Sequence, residues 1–138
     1  MRYFQFKKLV RDGIPEQMRA RGQRVEGLRR LEDAEFLSEL RRKVVEEAAE
    51  LAGAESVEEM KKELADVREA LDSFQRALLV DETELDACRR EKAGKSGAFE
   101  TRSYIEAVGV EEGSEWYEYY LNHPDRYPEV GSDTQADR

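Results

Sequence analysis

Residues 44–67 read VVEEAAELAGAESVEEMKKELADV, and this stretch decides the fold. It holds two acidic clusters, Glu46-Glu47-Ala48-Ala49-Glu50 and Glu63-Leu64-Ala65-Asp66, with twelve residues between them. Each lies in a segment of helical periodicity, so Glu47 and Glu50 share one helix face at spacing i, i+3, as do Glu63 and Asp66. On an exposed face such crowding only repels, by about a few tenths of a kcal/mol per pair. Around a hard divalent cation the same carboxylates become an all-oxygen ligand set suited to Mg2+ or Mn2+. The pattern thus admits a metal site between two helices or an ordinary solvated face.

Between the clusters, Gly53-Ala54-Glu55 is a short break and Ser56-Val57-Glu58-Glu59 has the form of a capping box. The spacing predicts one long helix from Asp33 to Gly53, with Leu37, Leu40, Val44, Ala48 and Leu51 on its apolar stripe. It predicts a second helix after Ser56, striped by Met60, Leu64, Val67, Leu71, Phe74 and Leu78. So short a connection makes the two antiparallel neighbours. At about 100° per residue, Glu47 falls roughly 50–60° from the centre of its stripe and Glu63 lies close to the other, so both pairs sit at the seam edge. Further out, Gly13-Ile14-Pro15 opens a short helix that Gly22 closes, and residues 23–31 read as an extended connector. Asp81, with Glu84 three positions on, begins a third helical pattern through roughly Lys92. The expected fold is an all-α antiparallel helix bundle in a single domain over residues 1–128. After Pro128 little remains to bury, and residues 129–138 are expected to form a mobile tail.

Composition narrows the function. With 40% charged residues and a net charge of −9, the chain is not built to coat a nucleic acid. The charge is uneven: residues 1–45 carry a local +5 and residues 46–138 a local −14, a division that fits either a basic phosphate clamp beside an acidic site or a plain solvated surface. Cys88 is the only cysteine, which excludes an intrachain disulfide or thiolate cluster and predicts a cytoplasmic setting. It is expected as a small buried side chain, and the lone His123 as structural. No stretch has the apolar length of a signal peptide core or a membrane span. Trp116-Tyr117-Glu118-Tyr119-Tyr120 is a dense aromatic cluster, expected to pack across the bundle or at a subunit interface rather than stack on a base.

The signature Glu46-Glu47-x-x-Glu50, a spacer, and Glu63-x-x-Asp66 resembles the EExxE…ExxD motif of the MazG-like all-α nucleoside triphosphate pyrophosphohydrolases. Lys8-Leu9-Val10-Arg11-Asp12-Gly13-Ile14-Pro15 looks like the KLVRDxIP motif of one branch, and Lys92 to Arg102 is similar to its K-x-x-x-G-G-F segment, with Lys95-Ser96-Gly97-Ala98 standing where relatives carry RGGF. The resemblance covers about residues 7–105. It implies Mg2+-dependent hydrolysis of a nucleoside triphosphate to monophosphate and pyrophosphate, directed at modified or unwanted nucleotides, by a homodimer or higher oligomer. Under it Glu47, Glu50, Glu63 and Asp66 are metal ligands and Glu46 orients or activates water. Lys8, Arg11, Lys92, Lys95 and Arg102 are candidate phosphate ligands, with Gly94 and Gly97 offering backbone N–H groups. A dUTPase-like or phosphoribosyl-ATP-type hydrolase on the same fold, or a non-enzymatic acidic helical module, are the alternatives.

Overall fold

A computed structural model of the chain describes residues 1–131. From residue 132 on, the tail expected to be mobile lies outside the described residues. The architecture is all-helical: α1 (Ile14–Ala20), α2 (Asp33–Gly53), α3 (Val57–Ala77), α4 (Glu82–Ser96) and α5 (Glu115–Leu121), with no strand among the described residues. Contacts group the chain into two compact units, Met1–Gly94 and Lys95–Arg138.

Local chemistry sets the boundaries. Pro15 sits in the first turn of α1, and Gly22, with φ +80°, closes it by donating its N–H to the Arg19 carbonyl at 2.9 Å. At the start of α3, the Ser56 hydroxyl accepts the Glu59 N–H at 3.1 Å. The Glu59 carboxylate turns back to the N–H of Glu55, also at 3.1 Å, one residue earlier than a strict capping box requires. The reciprocal box forms at α4 instead, where Asp81 accepts from the Glu84 N–H at 2.9 Å and Glu84 accepts from the Asp81 N–H at 3.1 Å. α4 then runs past Lys92 to Ser96, because one glycine among Lys92, Ala93 and Lys95 does not halt a helix. Gly97, with φ +75°, ends it.

Within the first unit α2 and α3 pack against each other, and their short connection makes them antiparallel. Leu40 on α2 and Ala70 on α3 are the two buried side chains among the described residues. Here the predicted core is corrected. On α3 the expected stripe is largely open: Met60, Leu64, Leu71 and Leu78 are 42–56% exposed. Glu63, Asp66, Ser73 and Ala77 are instead half-buried. Small residues at Ala70, Ser73 and Ala77 let the neighbouring backbone approach closely, and one partner helix covers only one arc of α3. The leucine stripe, stepping alternately by three and four through Val57, Met60, Leu64, Val67, Leu71, Phe74 and Leu78, stays beside that arc as a heptad pattern.

In the second unit Ser114 caps α5 by accepting the Tyr117 N–H at 3.2 Å, a helix not anticipated from the sequence although a serine N-cap announces it. Its rings pack on one another: Trp116 meets Tyr119 edge-on at 5.9 Å, and Tyr120 meets Tyr127 at 4.8 Å. His123 Nδ1 lies 2.7 Å from the Tyr119 carbonyl, in keeping with a structural role. Cys88 is exposed, contrary to the expectation of burial, because α4 packs against no other helix of the first unit.

Candidate metal centre

Antiparallel packing of α2 on α3 sets the late turns of one helix beside the early turns of the other. Glu47 and Glu50 from α2 and Glu63 from α3 meet there, each with an oxygen within 4.8 Å of the other two. Glu47 and Glu63 are half-buried and Glu50 is exposed. Glu63 Oε2 is buried and has no hydrogen-bond partner. An anionic oxygen withdrawn from water without a donor is costly, and a hard cation on an all-carboxylate donor set is the partner that chemistry supplies.

The electrostatics agree. Desolvation, then the charges of Glu50 and Asp66, raise the Glu63 pKa above the usual carboxylate range. Desolvation and the Glu50 charge raise Glu47 likewise, against the opposing pull of Lys43. Asp66 shares the field but not the trio, since the Arg11 guanidinium donates to its Oδ1 at 2.6 Å. Glu46 stands to the side too. It accepts from Lys8 at 2.9 Å and from Lys43 at 3.2 Å, and chiefly the Lys8 hydrogen bond holds its pKa low. A carboxylate so stabilised stays anionic and holds Lys8 and Lys43 beside the cluster.

Of the predicted phosphate ligands, Lys8 and Arg11 therefore do reach the acidic cluster, across 38 and 55 residues of sequence. Lys92 lies on α4, which packs on neither α2 nor α3, and Lys95 and Arg102 belong to the second unit. Gly94 lies inside α4, where its N–H belongs to the helix ladder, while Gly97 and Arg102 adopt left-handed backbone. Lys43 escaped the sequence reading. Its spacing of three and four residues from Glu46 and Glu47 was the available signal, and it lies 3.7 Å from Glu47. Glu47 and Asp66 also line an open cleft of about 610 Å³ that runs along α2 and α3 and is walled by residues 9–12.

Known families, curated proteins and solved structures contain no match to the chain. The site stands on its own geometry.

Titration checks that geometry. Because Glu47 and Glu63 hold protons more tightly folded than unfolded, the metal-free fold loses stability as pH rises from the ordinary carboxylate range through their raised values. Glu46 and Glu35, lowered chiefly by the hydrogen bonds they accept from Lys8 and Arg29, act oppositely: their contribution is present above the ordinary range and is lost as pH falls through their depressed values. Glu63→Gln, unfolded by urea in chelator, is expected to match the parent near pH 4, about the ordinary carboxylate value, and to exceed it increasingly toward neutrality. A pH-independent difference between the two would remove Glu63 from the crowded cluster.

Proposed function

We propose that the chain is a divalent-cation-dependent nucleoside triphosphate pyrophosphohydrolase of the MazG-like all-α type, acting in the cytoplasm on modified or unwanted nucleotides. The observation that carries this reading is the convergence of Glu47, Glu50 and Glu63, from the two halves of the acidic signature, around the orphaned Glu63 Oε2. These three would hold Mg2+ or Mn2+, and Asp66, here paired with Arg11, would be the fourth carboxylate. When bound, the cation neutralises charge on the phosphates and lowers the pKa of the attacking water.

The chain's own groups do the rest. Glu46, the carboxylate outside the ligand set, orients the attacking water and fixes Lys8 at the edge of the cluster. Lys8, Arg11 and Lys43 supply positive charge for the phosphate tail, with Lys92 as a further candidate. Among the described residues no helix is long and apolar enough to cross a membrane. The exposed heptad stripe on α3 supports a working form that is a homodimer or higher oligomer.

Arg11→Ala is expected to lower kcat/KM for triphosphate by the equivalent of about 1–3 kcal/mol, the scale of a charge-assisted hydrogen bond. Cation affinity should not fall, since the change unmasks Asp66. Steady-state kinetics with saturating Mg2+ measure the first and calorimetry the second; an unchanged kcat/KM places Arg11 outside the substrate site. The metal reading itself is tested by titrating Mn2+ into the metal-free protein. Saturable binding at fixed stoichiometry, abolished in Glu50→Gln, supports it, and weak non-saturating uptake removes it.

A further inference from the structure

The segment before α1 is pinned to the helix pair at two points, and the two pins differ in kind. Residues 1–11 form no helix or strand. Lys8 donates to the Glu46 carboxylate of α2 at 2.9 Å and Arg11 to the Asp66 carboxylate of α3 at 2.6 Å, with half-buried Leu9 and Val10 between them. Glu46 stands outside the carboxylate trio and is bonded by Lys43 as well, so a metal ion at the trio leaves the acceptor of Lys8 in place. Asp66 is different. Its charge is felt at both Glu47 and Glu63, which puts it within the field of the same ion, yet its Oδ1 is already taken by a guanidinium. The Arg11 side chain is 58% exposed and that of Asp66 41%, and a single ion pair so open to water holds only weakly. A divalent cation, with twice the charge and three further carboxylates to share it, is the stronger partner for Asp66.

We infer that Arg11 is a latch which a divalent cation opens: the ion takes Asp66, Arg11 lets go, and the segment stays attached through the Lys8–Glu46 pin with its guanidinium free. This rests on the proposed metal site and adds an order of events to it. Without metal, Arg11 is spent on neutralising Asp66 and is not available to an anion. Once the ion is bound, the same guanidinium can turn its planar fork to phosphate oxygens. Phosphate is thus offered Arg11 only after the ion that is to bridge it has arrived. The two cations of one short segment divide the work, Lys8 as the fixed hinge and Arg11 as the part that moves. Competition runs both ways, so Arg11 also lowers the affinity of the metal-free site for its ion by the share of molecules in which the latch is closed.

Titration of Mg2+ into the full metal-free chain tests it, followed by calorimetry and by the nitrogen-15 signals of the Arg11 guanidinium, assigned by their loss in Arg11→Ala. In the metal-free protein the carboxylate should shift these signals and slow their exchange with water. Mg2+ should return them to those of a free arginine, along the same saturation curve that calorimetry records. Arg11→Ala should bind Mg2+ about two- to fivefold more tightly than the parent, the range of an exposed ion pair. Lys8→Ala removes an equal charge beside the cluster but releases no ligand, and should gain less. Saturable Mg2+ binding that leaves the Arg11 signals unmoved, or equal gains in the two variants, overturns the latch while the metal site stands. Absence of saturable Mg2+ binding removes the metal site and the latch together.

Discussion

Glu50→Gln and Glu63→Gln are each expected to lower the proposed triphosphate hydrolysis by roughly a hundredfold or more, since each would remove an anionic donor from the proposed cation. Neither should unfold the protein. The three carboxylates repel one another without metal, and Glu63 carries the added burden of a buried, unpartnered oxygen, so neutralising either residue relieves the metal-free state. Activity and thermal unfolding in chelator, measured on the same preparations, give the distinctive combination of a dead enzyme and an apo-protein at least as stable as its parent. A fully active Glu50→Gln protein would detach the cluster from the chemistry.

The second large effect concerns the face of α3 that α2 leaves open. If a second copy covers the stripe, Leu64→Glu and Leu71→Glu each place a carboxylate in a seam that otherwise buries a leucine. The lost burial alone costs about 1.5–3 kcal/mol per side chain, before the charge is counted. Because the two-fold places the change on both chains, the doubly substituted protein should sediment as a monomer at concentrations where the parent is an oligomer, and its urea midpoint should fall. A lone helix pair with two buried side chains has little core of its own, so oligomer and fold should be lost together. Identical sedimentation and stability in parent and variant would show that the stripe faces solvent.

Much of this was legible because it rests on local chemistry. α2 spans the residues that its stripe and its closing glycine mark out, and Ser56 and Asp81 cap where their spacing says they should. The meeting of Glu47, Glu50 and Glu63 also followed, from one short loop and a helical repeat, whereas Asp66, expected with them, is paired with Arg11 outside the trio. What escaped required knowing which face of α3 the partner helix takes. Apolar periodicity favoured Leu64 and Leu71, whereas close approach favoured the smaller Ala70, Ser73 and Ala77, and a helix with two usable faces does not declare which is covered within one chain. Lys8 and Arg11 were marked as cations with work to do, but nothing local ties residue 8 to residue 46 or residue 11 to residue 66. α5 was hidden because five successive residues from Trp116 to Tyr120, four of them aromatic, carry no helical stripe, leaving only its cap to announce it.

In the proposed activity this acidic cluster directs attack on the α–β linkage of a nucleoside triphosphate. Phosphorus-31 NMR of the full chain with Mg2+ and a panel of standard and modified nucleoside triphosphates tests it most directly. The expected result is nucleoside monophosphate and pyrophosphate in equal amounts with no free orthophosphate, lost in Glu50→Gln. Orthophosphate released with a diphosphate, or no turnover anywhere in the panel, would contradict it.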